Sequence, residues 1–154
     1  MTSLEAIDRL VDDIAEAGVS GSWVARNGIE RMRDFKGAYI LALQVGETID
    51  VDFAGAVAGQ LAPGWYVYAG SARGSGGIRA RVRRHFQRSK TMHWHIDLLT
   101  VKSLDIAALA VAGGDECELV GKLLDSCRFK VALRGFGNTD CRRCESHLLA
   151  ACIP

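Results

Sequence analysis

Residues Gly64 to Phe86 constrain the fold more than any other stretch, because an aromatic strand runs through a glycine-rich turn directly into a basic helix. Side chains of a strand alternate, so Tyr66 and Tyr68 face one way and Trp65 and Val67 the other. Gly70, Gly74, Gly76 and Gly77 allow a tight turn or a close approach of backbone to a ligand. On the helix that follows, Ile78 and Val82 lie one turn apart, with Arg81 and His85 four residues apart beside them. A tyrosine at a strand end, an arginine and a histidine therefore converge, and that convergence points to chemistry.

The basic helix stands out against a nearly neutral chain. From Arg73 to Lys90 there are seven basic residues (Arg73, Arg79, Arg81, Arg83, Arg84, Arg88 and Lys90) and no acid, whereas the formal net charge of the 154 residues is only +1. That asymmetry suits a polyanion met at one face; a solvated arginine-rich helix is the plain alternative. The length fits one domain with a real core. No apolar run is long enough to cross a bilayer, and the N-terminus lacks a signal peptide, so the expected location is cytoplasmic. Five loosely spaced cysteines argue against a disulfide framework.

In chain order, Leu4 to Ala17 carries an apolar stripe of Leu4, Ile7, Leu10, Val11 and Ile14, predicting an amphipathic helix capped by Thr2 or Ser3 and ended by Gly18. Such a helix is a packing or docking surface. Val19 to Lys36 leaves room for a second short helix. Gly37 to Val45 is β-rich and almost continuously apolar, predicting a buried strand, with Gly46-Glu47 as a hairpin turn into Thr48 to Phe53. Ala54 to Ala62 reads as flexible. His93 to Val101 alternates and predicts a strand, followed by another from Ile106 to Ala112. A helix is expected over Asp115 to Ser126, with acids in its first turn, and a short one over Glu145 to Ala151.

Two further clusters carry candidate chemistry. His93, His95 and Asp97 share one face of the expected strand, where they would ligate a metal or form a polar wall beside a nucleic-acid groove. Cys141, Cys144 and His147 form C-x2-C-x2-H, three zinc ligands with Cys127 or Asp140 as a candidate fourth; reduced, partly buried cysteines are the simpler reading. Glu116 alone reads as a partner for the helix dipole, and Tyr39 as an ordinary strand aromatic.

Taken together, Gly37-Ala38-Tyr39, Tyr68-Ala69-Gly70-Ser71, Arg81 and His85 resemble the GIY-YIG nuclease superfamily, with alanine where the family name has isoleucine. Gly-Gly-Ile-x-x-Arg-x-x-x-His, His-Trp-His-Ile-Asp, Glu-Cys-x-Leu and Gly-Phe-Gly-x-x-Asp-Cys are similar to one branch of small bacterial and archaeal proteins, sometimes fused to an endonuclease III domain. The likeness runs from about Gly37 to Leu148. It implies an α+β fold, a small mostly antiparallel sheet flanked by helices over residues 37–154, with residues 1–36 as a helical extension. It also implies catalytic roles for Tyr39, Tyr68, Arg81, His85 and Glu116, and a magnesium or manganese ion on Glu116. The asparagine that follows a proline beyond this helix in many members has only Asn138 as a weak substitute.

The expected activity is metal-dependent hydrolysis of DNA, in repair or in processing of damaged or branched DNA, with Tyr39 as base and His85 assisting. Arg73, Arg79, Arg83, Arg84, Arg88, Lys90, His93 and His95 are the expected grips on flanking phosphates. The alternatives are a nucleic-acid-binding module of the same fold without efficient cleavage, and an interaction protein whose N-terminal helix docks a repair enzyme.

Overall fold

The computed structural model describes residues 2–138 and 141–153. In chain order these form α1 (Ser3–Glu16), β1 (Ser22–Ala25), a 3-10 helix (Arg26–Arg31), β2 (Gly37–Val45), β3 (Ile49–Phe53), β4 (Val57–Leu61) and β5 (Gly64–Ala72). Then come α2 (Gly77–Phe86), α3 (Asp97–Lys102), β6 (Asp105–Ala112), α4 (Glu116–Asp125), β7 (Phe129–Val131) and β8 (Leu148–Ala151). The fold is α+β: six strands make one sheet in the order β1-β6-β2-β5-β8-β7, antiparallel at every pairing, and β3 and β4 pair separately. Among the described residues, no helix is long and apolar enough to cross a membrane.

The apolar run of β2 follows from its place in the middle of the sheet, covered on both faces. Tyr39, Leu41 and Leu43 point to one face, where Tyr66 and Tyr68 of β5 join them, since Leu41 stands opposite Tyr68 and Leu43 opposite Tyr66. Ile78, Val82 and Phe86 of α2, Ile96 and Leu99 around α3, and the β3–β4 hairpin close that side. Ala38, Ile40 and Val67 point to the other face, under Leu10 and Ile14 of α1 and Leu119, Val120 and Leu123 of α4. Each such aliphatic side chain contributes roughly 1.5–3 kcal/mol on full burial. The stripe of α1 is thus largely used within the chain, although Leu4 stays exposed. Thr2 caps α1 in a reciprocal capping box with Glu5.

Four sequence expectations are corrected. The Gly46-Glu47 turn does not pair β3 with β2, because both edges of β2 are taken by β5 and β6; β3 pairs instead with β4, built from the stretch expected to be flexible. His93 to Val101 is not a strand. Its buried positions are Ile96, Asp97, Leu99 and Thr100, a helical spacing that the Trp94-Ile96-Leu98 alternation masked. Residues 148–151 form strand β8, not a helix, because pairing with the edge of β5 on one side and with β7 on the other outweighs the helix propensity of Leu and Ala. Residues 22–25 add an edge strand, with the 3-10 helix as the only helix between α1 and β2.

Candidate active site

β8 pairs with β5 only at Tyr66 to Tyr68, which leaves the end of β5 at Gly70 and Ser71 open on that side. The first turn of α4 comes against this open end, bringing Glu116 round to the face that carries Tyr39 and Tyr68. A cleft of about 270 Å³ results. Tyr39, Tyr68, Arg81, His85 and Glu116 all line it, although they come from β2, β5, α2 and α4. His93, Trp94 and His95 form one wall, and Gly137, Cys141 and His147 another.

The floor is a pair of buried aromatic groups. Tyr39 is 2% exposed and His85 1%, and the Tyr39 oxygen lies 2.7 Å from His85 Nε2. His85 Nδ1 is buried without a partner among the described residues. An unpaired buried N–H is costlier than an unpaired lone pair, so we assign the imidazole proton to Nε2, which donates to Tyr39. Burial lowers the His85 pKa to about 3, so the ring is neutral at physiological pH. Burial also raises the phenols, Tyr39 well above its ordinary value and Tyr68 to about 12. The resting floor is therefore uncharged.

Gly70 makes room for this floor. A Cβ there would overlap the Tyr39 ring, while the Gly70 backbone itself is unstrained. Gly70→Ala should therefore displace Tyr39 from His85 and cost about 1–3 kcal/mol, the usual range for overpacking. Urea unfolding measures this directly; an unchanged midpoint would refute the packing role.

Above the floor, Arg81 differs from its neighbours. It has no hydrogen bond or ion pair among the described residues, and its guanidinium lies over Trp94, 4.8 Å from the ring centroid. Arg84 sits over the same ring at 4.3 Å, but its two terminal nitrogens each reach Asp97 at 2.8 Å. Asp97 also accepts the backbone N–H groups of His93 and Trp94, which turns the chain into the cleft wall. It is not a metal ligand on a strand face. The carboxylate is fully buried, and although burial alone would raise its pKa, the Arg84 and backbone donors hold it down at about 2.

The other expected phosphate grips, His93 apart, have internal partners. Arg73 reaches the Gly114 carbonyl and Asp115, Arg79 the Met32 carbonyl, Arg83 pairs with Glu30, and Arg88 donates to the Ser103 carbonyl. Lys90 donates to the Arg84 and His85 carbonyls at the end of α2, and burial lowers its pKa to about 8. His93 is exposed, while His95 stacks on Phe53 with centroids 4.3 Å apart and accepts the Gly137 N–H on Nδ1. Burial lowers the His95 pKa, consistent with a neutral ring that keeps this bond. Asn138 donates to the Cys144 carbonyl and does not line the cleft.

Beside Glu116 the structure assembles a group that sequence spacing left incomplete. Cys117, Cys141, Cys144 and His147 each offer a ligand atom, all within 4.8 Å of one another, a Cys3His cluster that can hold a metal such as zinc. The fourth member is Cys117, not Cys127, which is exposed at the far end of α4; Asp140 lies outside the described residues. The available signal was local. Asp115 caps α4 through the N–H groups of Cys117 and Glu118, so Glu116 and Cys117 are both first-turn residues.

No curated protein and no solved structure matches the chain. One family model does, that of the domain of unknown function DUF123, over residues 38–152. That span holds β2 from its second residue through to β8, every residue of the cleft and the whole Cys3His cluster, and the chain belongs to this family.

Proposed function

We propose that the protein is a divalent-metal-dependent endonuclease of the GIY-YIG type, hydrolysing phosphodiester bonds in DNA. The observation that carries this reading is the meeting of two tyrosines, a buried histidine, a carboxylate and an otherwise unpaired arginine in one cleft.

Glu116 is the one carboxylate lining the cleft among the described residues. A single oxygen donor in an open cleft suits a hard cation that keeps several waters and takes other ligands from phosphate. Magnesium or manganese held by Glu116 supplies neutralisation of phosphate charge and stabilisation of the leaving oxygen. Arg81 is free to take a phosphate oxygen with a charged fork, and the interaction strengthens as charge develops. The Trp94 face holds the Arg81 guanidinium over the cleft and excludes water from one side of it. As the candidate base, Tyr39 would first release its own proton to water in the cleft, the His85 N–H would stabilise the phenolate so formed, and the phenolate would then take the proton of the attacking water. Tyr68 lies across the floor from it and orients the nucleophile or the phosphate.

The internal pairing of Arg73, Arg79, Arg83, Arg84 and Arg88 favours recognition of a phosphate at one place over a broad electrostatic grip. The test is incubation of the purified protein with plasmid, single-stranded, flapped and abasic DNA, with magnesium, manganese or EDTA. Metal-dependent cutting that Glu116→Gln abolishes is the expected result. Binding without cutting on every substrate would replace this reading by that of a nucleic-acid-binding module.

A further inference from the structure

We propose that Cys117, Cys141, Cys144 and His147 hold a closed structural zinc ion that fixes Glu116 in the cleft. The Cys117 and Cys141 sulfurs are 3.3 Å apart, and the Cys117 sulfur is 3.9 Å from His147 Nε2. A zinc–sulfur bond of about 2.3 Å gives a tetrahedron with edges of about 3.8 Å. The four ligand atoms all lie within 4.8 Å of one another, close enough to converge on one ion of that size.

The donor set selects the metal. Three soft thiolates with an imidazole suit zinc and disfavour magnesium, calcium or manganese, which take oxygen ligands. Four protein ligands leave no open position, so the ion is structural and has no bound water to activate. The Cys144 N–H lies 3.4 Å from the Cys141 sulfur, an N–H to sulfur bond that helps carry thiolate charge.

The ligands also cross-link two parts of the chain that the Arg143–Asp115 ion pair joins at the surface. Cys117 belongs to the first turn of α4, and the other three to the connection between β7 and β8, which has no helix or strand among its described residues. Glu116 is bonded directly to Cys117, while Cys141 and His147 line the same cleft. Zinc at this point pins the start of α4 to the β8 approach and so sets where the Glu116 carboxylate stands. None of this depends on the cleft cutting DNA.

The test uses the full chain, produced in zinc-supplemented medium and purified without chelator under reducing conditions. Elemental analysis should find about one zinc per chain. Cobalt exchanged into the site should show visible bands of a tetrahedral ion with thiolate charge transfer. Cys144→Ser and His147→Gln should lose the stoichiometric metal, while Cys127→Ser should keep it. Should the first two variants fail to fold, the cobalt spectrum of the unmutated protein still decides. Removal of the ion should speed amide hydrogen exchange at Cys117 to Leu119 by tenfold or more. A zinc-free protein, an octahedral cobalt spectrum, a Cys117–Cys141 disulfide in the unreduced protein, or unchanged exchange after stripping would overturn the proposal.

Discussion

Arg81→Ala is expected to lower kcat for DNA cleavage by about 10²–10³-fold, the usual loss when one donor to a developing negative charge is removed. The folded state should change by no more than about 0.5–1 kcal/mol, because Arg81 makes no hydrogen bond or ion pair among the described residues and rests on the Trp94 face. Arg81→Lys should recover part of the rate, since an ammonium keeps the charge but cannot form a planar fork. Arg83→Ala removes an arginine of the same helix that pairs with exposed Glu30, and should leave kcat nearly unchanged. Steady-state kinetics of these three variants, with thermal melts alongside, separate the roles. A loss below about threefold for Arg81→Ala would remove it from the chemistry.

Asp97→Ala is expected to be the most destabilising single change near the cleft, costing about 3–5 kcal/mol. It strips the partner from the part-buried Arg84 and orphans the His93 and Trp94 N–H groups together. Against a typical total of about 5–15 kcal/mol, that is a large share of the stability of the domain. The pH dependence follows from the depressed carboxyl. Asp97 in the fold is held at about 2, below the ordinary value of 3.8, so its contribution is fully present above about pH 4 and is lost as pH falls towards 2. Chemical unfolding from pH 5 down to pH 2 should show this loss in the natural protein. Asp97→Asn should show a shallower dependence over the same window. Equal slopes would show that other carboxyls govern the acid limb.

The legible parts of the fold were those with their own periodicity. The amphipathic stripe of α1, the apolar run of β2, the alternation of β5 and the acid-rich first turn of α4 were each readable without knowing what lay beside them. What failed depended on partners distant in sequence. Leu148 to Ala151 become a strand because Tyr66 to Tyr68 and Phe129 to Val131 flank them. Likewise β3 turns to β4 because β2 has no free edge. The His93–Asp97 stretch misled for a different reason: its polar side chains looked like a ligand face, whereas Asp97 is buried as the anchor of its own loop.

The cleft was legible through the short motifs that carry its five central residues, and the resemblance joined them across β2, β5, α2 and α4. Periodicity alone had no means of selecting Glu116 among the acids of α4, or Arg81 among the arginines of α2. The structure distinguishes Arg81 by subtraction, since its neighbours are occupied elsewhere. Cys117 escaped because metal-ligand spacing is sought within a short stretch, and this ligand lies 24 residues before Cys141.

The place of β8 between β5 and β7 also orders events during folding. Among the described residues β7 pairs with no strand other than β8, so its place in the sheet depends on β8. The hydrogen bond from the Ala69 N–H to the His147 carbonyl extends the β5–β8 contact to the residue just before the strand. Docking of the last strand should therefore bring the Cys3His ligands together as well, and the contact it makes with β5 is a non-local one. Before it, the protein can form β2, β5 and β6 with α2 in place and still lack the wall that carries Gly137, Cys141 and His147. An intermediate of this kind would have the Tyr39–His85 floor assembled and one side of its cleft missing, so recovery of near-native secondary structure would run ahead of completion of the cleft.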